Sequence, residues 1–251
     1  MRTDFPTAAQ IPQLRSLWKE AFGDTDAFLD LFYSVAFSPR RCRCITEEGI
    51  VTAALYWFDI SCDGQKFAYI YAVATAAASR GRGLCRRLME DTAEVLIAQG
   101  YQGALLVPQE GGLRTMYGKM GYLPATAVDQ FFCAASAPVP VQEISAQEYA
   151  RRRETLLPPG SVALDAESLA FASRLARFYE GPGLLAAASR EAEHLRILEF
   201  LGSQEGAPGL VAALGATEAT CRAPGGDTPF SMYLPLTPDC RKPDYFAFNF
   251  D

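Results

Sequence analysis

The residues best suited to chemistry lie in "TAAASRGRGLCRRLME" (75–90), where two glycines alternate with arginines between an apolar run and a helical pattern. Because N–H groups at a helix N-terminus lack partners and the helix dipole adds positive charge, such a turn favours an anion. Gly81 and Gly83 let the backbone approach that anion, while Arg80 and Arg82 supply charge. The segment predicts a phosphate-binding turn; the alternative is a tight connection with solvated arginines.

Two familiar phosphate loops are excluded by the same residues. The dinucleotide signature needs a third glycine three positions after Gly83, where Arg86 stands, and no Gly-Lys-Ser/Thr ending is present for a nucleoside triphosphate loop. The phosphate must therefore belong to another kind of ligand.

The elements that must position this turn follow from hydrophobic periodicity. Apolar spacing predicts two helices within 8–37, broken at Gly23, and then three β-rich runs joined by hairpin signals, typical of an antiparallel meander. A helix follows the turn and ends before Gly100. The meander strands are predicted at 41–47, 50–60 and 67–75, and after the helix come a buried strand at 101–108, a short helix at 113–119 and a strand at 129–135 that closes the first unit.

The proline-rich "SAPVP" (136–140) predicts a domain boundary, so we expect domains at 1–135 and 141–251. The second is expected to be a smaller α+β domain, with helices at 146–156 and 166–180. Strands are predicted at 183–189, 194–202, 219–224, 230–236 and 244–250. The cluster Arg151-Arg152-Arg153 is interpreted as a solvated helix face.

The turn and its surroundings resemble the GNAT N-acetyltransferase superfamily. Arg80-Gly81-Arg82-Gly83-Leu84-Cys85 is similar to its pyrophosphate loop, Arg/Gln-x-x-Gly-x-Gly/Ala, with Cys85 departing at the last position. Tyr117-Gly118-Lys119-Met120-Gly121-Tyr122 is similar to the family's Tyr-x-x-x-Gly-Phe/Tyr, and "IPQLRSLWKEAFGD" to the first helix of bacterial members. The resemblance covers roughly residues 5–135 and implies the acyl-CoA N-acyltransferase fold, a mixed, mostly antiparallel sheet flanked by helices.

The resemblance also implies acetyl-CoA as co-substrate, bound where the fourth and fifth strands splay apart. Val73 and Thr75 would offer backbone groups to pantetheine, as an added strand would. The pyrophosphate would lie on the amides of Gly81–Cys85, a stretch that includes Leu84. Arg86 or Arg87 would reach the outer phosphate, or else be ordinary surface cations.

Tyr117 stands where the family commonly has a general acid, and a phenol can protonate a departing thiolate. The base stays open: Asp59 and Glu110 are candidates, and Asp251 or its α-carboxylate is a further catalytic hypothesis set against a simple closing strand. Tyr69 and Tyr71 share a strand face and line either the acceptor pocket or the core.

These features predict an N-acetyltransferase that moves an acetyl group from acetyl-CoA to a primary amine of a small molecule, a peptide terminus or a lysine side chain. The alternatives are a non-catalytic CoA- or ligand-binding sensor and an interaction domain. A net charge of -6 argues against nucleic-acid or membrane partners, and we expect a cytoplasmic bacterial protein. No metal is expected, because His194 is the only histidine and the seven cysteines lack ligand spacing.

Overall fold

A computed structural model describes residues 2–109, 111–164, 166–191 and 194–247. The chain divides into two compact units. The first consists of the chain before Ser61, of Gly64–Leu123 and of Tyr233–Arg241. The second consists of Ser61–Asp63, of Pro124–Met232 and of the chain from Lys242 onward.

The elements follow one another along the chain in an alternating order. The N-terminal half contains β1 Arg2–Asp4, α1 Ile11–Phe22, α2 Asp26–Val35, β2 Cys42–Glu47, β3 Ile50–Cys62, β4 Gln65–Thr75, α3 Leu84–Ala98, β5 Gly103–Leu106, α4 Gly111–Gly118, β6 Leu123–Pro124 and β7 Ala127–Ala134. The C-terminal half contains β8 Gln142–Ile144, α5 Ala146–Leu156, α6 Ala166–Leu175, β9 Arg177–Gly181, β10 Leu184–Glu191, β11 His194–Gly202, α7 Ala207–Ala213, β12 Glu218–Pro224, β13 Thr228–Pro229 and β14 Met232–Pro235.

Within the described ranges these strands form two mixed sheets of seven strands each. The order in one is β1-β2-β3-β4-β5-β14-β6, and in the other β13-β7-β12-β11-β10-β9-β8. Most strand pairs in the described ranges are antiparallel, but β4 with β5 and β11 with β12 are parallel. The sequence β-α-α-β-β-β-α-β therefore occurs twice, from β1 to β5 and from β8 to β12.

An aromatic cluster fills the first unit between α1, α2 and the central strands. The Trp18 ring lies 4.6 Å from the Phe32 centroid and 4.9 Å from that of Tyr56. Tyr71 contacts Trp18 edge-on, and Tyr69 lies 6.0 Å from Tyr71. Both strand tyrosines are buried. Of the two interpretations of this pair, the structure supports the core.

The strands of the meander and the helices around the glycine turn agree with the prediction, but two other strands lie elsewhere than expected. β7 pairs with β12 in the second sheet and does not close the first unit. Conversely β14, from the run expected in the second unit, lies between β5 and β6. Hydrophobic periodicity predicts that a segment is a strand but not which strand it pairs with, because pairing depends on residues far away in the sequence. The domain limits 1–135 and 141–251 stay a prediction.

In the second unit one predicted helix ends early, one helix was not predicted, and one predicted strand lies partly outside the described residues. The helix expected at 166–180 ends at Leu175, and β9 begins two residues later. Helix α7 was missed because its opening "APG" reads as a breaker, although proline is well tolerated in a first helical turn. In the run 244–247, Tyr245 makes only an isolated bridge with Ser161, and the rest of the predicted strand lies outside the described residues.

Candidate active site

Strands β4 and β5 pair over a short stretch and then part. The parallel register runs only from Phe67 opposite Gly103 to Tyr69 opposite Leu105. β4 continues to Thr75, whereas β5 ends at Leu106. Ala72 interrupts β4 with a φ of 48°, a left-handed conformation that is rare for alanine. The predicted cofactor strand residues, Val73 and Thr75, thus lie beyond the last paired position and just past this irregularity.

The glycine loop (residues 80–85) connects β4 to α3 with both glycines in left-handed conformations. Gly81 has a φ of 75° and Gly83 a φ of 76°, and a Cβ at either would meet nothing within 4 Å. The first helical bond runs from the Arg87 N–H to the Gly83 carbonyl. Among the described residues, no acceptor receives the N–H groups of Gly81 to Arg86. The loop is open, and its donors remain available to an anion.

An ion pair holds the side chain in the middle of this loop. Arg82 donates from Nη1 and Nη2 to the two carboxylate oxygens of Glu47, at 2.9 and 2.7 Å. This bidentate geometry raises the pKa of the Arg82 guanidinium, through the hydrogen bonds first and the carboxylate charge second. Glu47 is the last residue of β2, so this ion pair attaches the middle of the glycine loop to the end of a strand.

A second carboxylate fixes the approach to the loop. Glu20, on α1, accepts the N–H of Ala77 at 2.6 Å. Arg80 turns back, and its Nε donates to the Thr75 carbonyl at 3.2 Å. Glu20 and Glu47 carry no local sequence signal, because their contacts with the loop span 57 and 35 residues of chain. Sequence reasoning missed both for that reason.

The two arginines of the first α3 turn are already engaged at the helix surface. Arg86 lies 3.7 Å from Glu90 and donates to the Lys119 carbonyl at 3.0 Å. Arg87 lies 3.5 Å from Asp91. These contacts favour the interpretation of both as surface cations, since exposed pairs of this spacing are weak and common.

Tyr117, near the end of α4, is buried beside the last residue of the glycine loop. Burial raises the pKa of its phenol, and the charge of a Cys85 thiolate would raise it further. The Cys85 thiol is half-buried, and burial raises its pKa too. The Tyr117 ring packs 5.8 Å from that of Tyr122, and its hydroxyl has no hydrogen-bond partner in the described part of the chain. A protonated phenol is thus held next to the loop.

Of the three predicted bases, only Asp59 belongs to the described residues, and it is engaged by other side chains. Asp59 accepts a hydrogen bond from the Tyr101 hydroxyl and lies 3.5 Å from Arg41. Tyr101 in turn accepts from the Trp57 indole at 3.1 Å. This network gives Asp59 a structural role. Glu110 and Asp251 lie outside the described residues.

The described residues contain no group of three or more His, Cys, Asp or Glu side chains that could hold a metal. None of the described helices combines the length and the apolar character needed to cross a membrane. All seven cysteines are described, and none forms a disulfide.

Residues 3–125 match the family model of the acetyltransferase (GNAT) domain. The chain therefore carries a GNAT domain in its N-terminal half, and its mixed α+β fold matches that of solved GNAT proteins. A comparison with curated protein sequences gives no match.

The structural likeness extends over both units. A GCN5-related N-acetyltransferase from Kribbella flavida aligns with a TM-score of 0.71 and 19% identity, covering 92% of this chain and 70% of that chain. A GCN5-related N-acetyltransferase from Anabaena variabilis gives 0.71 and 16%, covering 94% and 73%. A putative acetyltransferase from Pyrococcus horikoshii gives 0.66 and 13%, covering 97% and 91%. At these identities the comparison establishes the fold alone.

Proposed function

We propose that the protein is an acetyl-CoA-dependent N-acetyltransferase whose acceptor is a primary amine. The observation that carries the proposal is the open glycine loop, where Gly81 and Gly83 are left-handed and successive N–H groups at the start of α3 find no acceptor in the described parts of the chain. In a GNAT domain this is where a diphosphate fits, because N–H groups and the helix dipole act together on it.

Each part of the co-substrate has its own residues in this proposal. The loop from Arg80 to Cys85 binds the diphosphate, and backbone groups of Val73 and Thr75 bind the pantetheine amides. What supports the second role is that β5 ends before it could pair with this part of β4. Arg82 adds positive charge while Glu47 keeps its side chain aligned.

The chemistry needs a neutral amine and a proton for the thiolate that leaves when the new amide forms. We assign that proton to the Tyr117 hydroxyl. Because burial raises the pKa of this phenol, it stays protonated at neutral pH and can act as a donor. The nearby Cys85 is a neutral thiol at the same pH, since its pKa is also raised.

We keep Asp251 as the candidate base, because a carboxylate can take the proton of the attacking amine. Asp251→Asn removes the side-chain charge and should lower kcat with little change in KM for acetyl-CoA. Unchanged kcat eliminates the hypothesis.

We assign co-substrate binding and the proton donor to residues 1–135, and selection of the acceptor, together with the candidate base Asp251, to residues 141–251. The acceptor is a small molecule, a peptide terminus or a lysine side chain. We place the reaction in a bacterial cytoplasm, where acetyl-CoA is available and free cysteines persist.

The test is thiol release from acetyl-CoA in the presence of a panel of primary amines, polyamines and lysine peptides. Release that depends on one amine and is lost in Tyr117→Phe supports the assignment. Tight coenzyme A binding with no release for any amine would point instead to a sensor, and no binding at all would refute both.

A further inference from the structure

The second unit contains a polar cavity of about 100 Å³ on one face of its sheet. We call it the arginine cavity and define it by its four polar lining residues, Gln130, Arg196, Thr220 and Arg222. Its apolar lining includes Leu198. None of these residues belongs to the glycine loop or to the unit that contains the loop.

The backbone creates this cavity by letting two parallel strands part. β11 and β12 are paired from Leu195 opposite Ala219 to Ile197 opposite Cys221. The next residue of β11, Leu198, forms a bulge against β10, the strand on the other side of β11. Ala188 of β10 pairs with Ile197, and Ala187 pairs with Glu199, so Leu198 has no partner residue on β10. The first unit shows the same arrangement, a short parallel pairing followed by a gap, at β4 and β5.

The strand register brings the polar side chains to one face. Arg196 on β11 is opposite Thr220 on β12, and Arg222, two residues further along β12, is opposite Gln130 on β7. Residues two apart on a strand share a face, so Arg196 and Arg222 are diagonal neighbours on that face. Three adjacent strands thus contribute cationic, hydroxyl and amide donors to a single patch.

Arg196 carries a charge on this face that no described residue balances. Arg196 makes no hydrogen bond or ion pair with any described residue. The nearest acid along β11, Glu199, is fully buried and bound by Arg153 at 2.6 and 2.9 Å. Arg222 lies 4.5 Å from the Phe230 ring centroid and donates one N–H to the Ala247 carbonyl. A bound anion would pair with the Arg196 guanidinium, and the positive charge of Arg222 on the neighbouring strand would add to the attraction.

We propose that the arginine cavity is a binding site for a small oxyanion, the carboxylate or phosphate group of a small molecule. The volume is several times the roughly 10–15 Å³ that a single water molecule needs, which leaves room for such a group. Arg196 supplies a planar donor pair suited to two oxygens, and Thr220 and Gln130 add neutral donors. The inference is independent of the proposed acetyl transfer.

The experiment is an NMR titration of ¹⁵N-labelled protein with inorganic phosphate, and separately with acetate, at constant ionic strength. Wild type, Arg196→Gln and the control Arg190→Gln are compared. Arg190 is an exposed cation on the neighbouring strand β10, so its substitution removes the same charge outside the cavity. Amide signals of Arg196 and Thr220 report the cavity, and those of residues 81–86 report the glycine loop separately.

We expect the cavity signals to shift saturably in wild type and in Arg190→Gln, with affinity at least tenfold weaker in Arg196→Gln. Tighter binding of phosphate indicates a phosphorylated ligand, and tighter binding of acetate a carboxylate. The proposal is overturned if the cavity signals do not saturate, or if Arg196→Gln behaves as wild type. Because the loop signals are read independently, failure here is distinct from failure of the acetyltransferase assignment.

Discussion

Gly83→Ala tests whether the glycine loop is open in order to bind a ligand. Gly83 has a φ of 76°, and no atom lies within 4 Å of the Cβ that alanine would add. The substitution therefore costs backbone strain but produces no clash with protein atoms. Gly64, in the turn between β3 and β4, is a matched control, with a φ of 73° and equally open surroundings.

The expected stability cost is the same at both positions. A left-handed alanine costs about 1–2 kcal/mol, and the reduced entropy of the unfolded chain offsets about 0.4–1 kcal/mol of this. For a chain of 251 residues a net loss of about 1 kcal/mol lowers the midpoint of thermal unfolding by roughly 2–4 °C. Both variants should show this small shift.

Their effect on the co-substrate should differ. Only at position 83 would the new methyl group stand among the N–H groups of the loop, and a hydrogen bond to a charged oxygen contributes about 1.5–3 kcal/mol. Losing one such bond raises the Kd for acetyl-CoA by about 10- to 100-fold. Calorimetric titration measures it. If Gly83→Ala and Gly64→Ala bind acetyl-CoA with the same affinity, whether both match wild type or both are weakened, the reasoning is refuted.

Four further predictions follow from the described contacts. Tyr117→Phe should lower kcat at least tenfold with little change in coenzyme binding, and equal kcat in both proteins would assign Tyr117 to packing. Because the pKa of Tyr117 is raised, wild-type kcat should not fall through loss of this proton between pH 7 and about 10. Glu47→Gln removes the charge that holds Arg82 and should raise KM for acetyl-CoA several-fold at constant kcat. The control Glu90→Gln, which removes the partner of the exposed Arg86, should leave KM unchanged. The same KM in both variants would contradict the positioning role of Glu47. Arg153→Met leaves the fully buried Glu199 without its cation and should lower the free energy of unfolding, measured in urea, by about 3–5 kcal/mol. The control Arg151→Met, at an exposed position, should lower it by less than about 1 kcal/mol. Similar losses in both variants would contradict a stabilising role of the buried Arg153–Glu199 pair. Cys85 should react with iodoacetamide at pH 8 more slowly than a free thiol, because burial raises the pKa of Cys85. Bound coenzyme A should slow this reaction further. A fast reaction that coenzyme A does not slow would contradict both the burial of Cys85 and its place in the loop.

The glycine loop could be predicted from sequence because its requirements are local. Left-handed backbone at Gly81 and Gly83, and the start of a helix at Leu84, are encoded by adjacent residues. The meander was predictable for the same reason, since its hairpin turns carry Glu48-Gly49 and Asp63-Gly64 with positive φ throughout.

What sequence could not give depends on distant pairing. Strand β14 reads as a strand anywhere, but its place between β5 and β6 is decided by residues more than a hundred positions away. The arginine run 151–153 is the clearest case for side chains. All three reside on one helix, and only the register of α5 against the sheet buries Arg153 on Glu199, with Tyr149 donating to the same carboxylate. The interpretation of this run as a solvated face is therefore wrong for Arg153.

The most direct measurement of the central claim, that the glycine loop binds a diphosphate, is a calorimetric comparison of coenzyme A, dephospho-coenzyme A and pantetheine. Arg86 and Arg87 are engaged with acids of their own helix, so we expect similar affinity for coenzyme A and dephospho-coenzyme A. Pantetheine lacks the diphosphate and should bind at least about 100-fold more weakly, because several charge-assisted hydrogen bonds to the loop are lost. Pantetheine binding as tightly as coenzyme A would contradict the account.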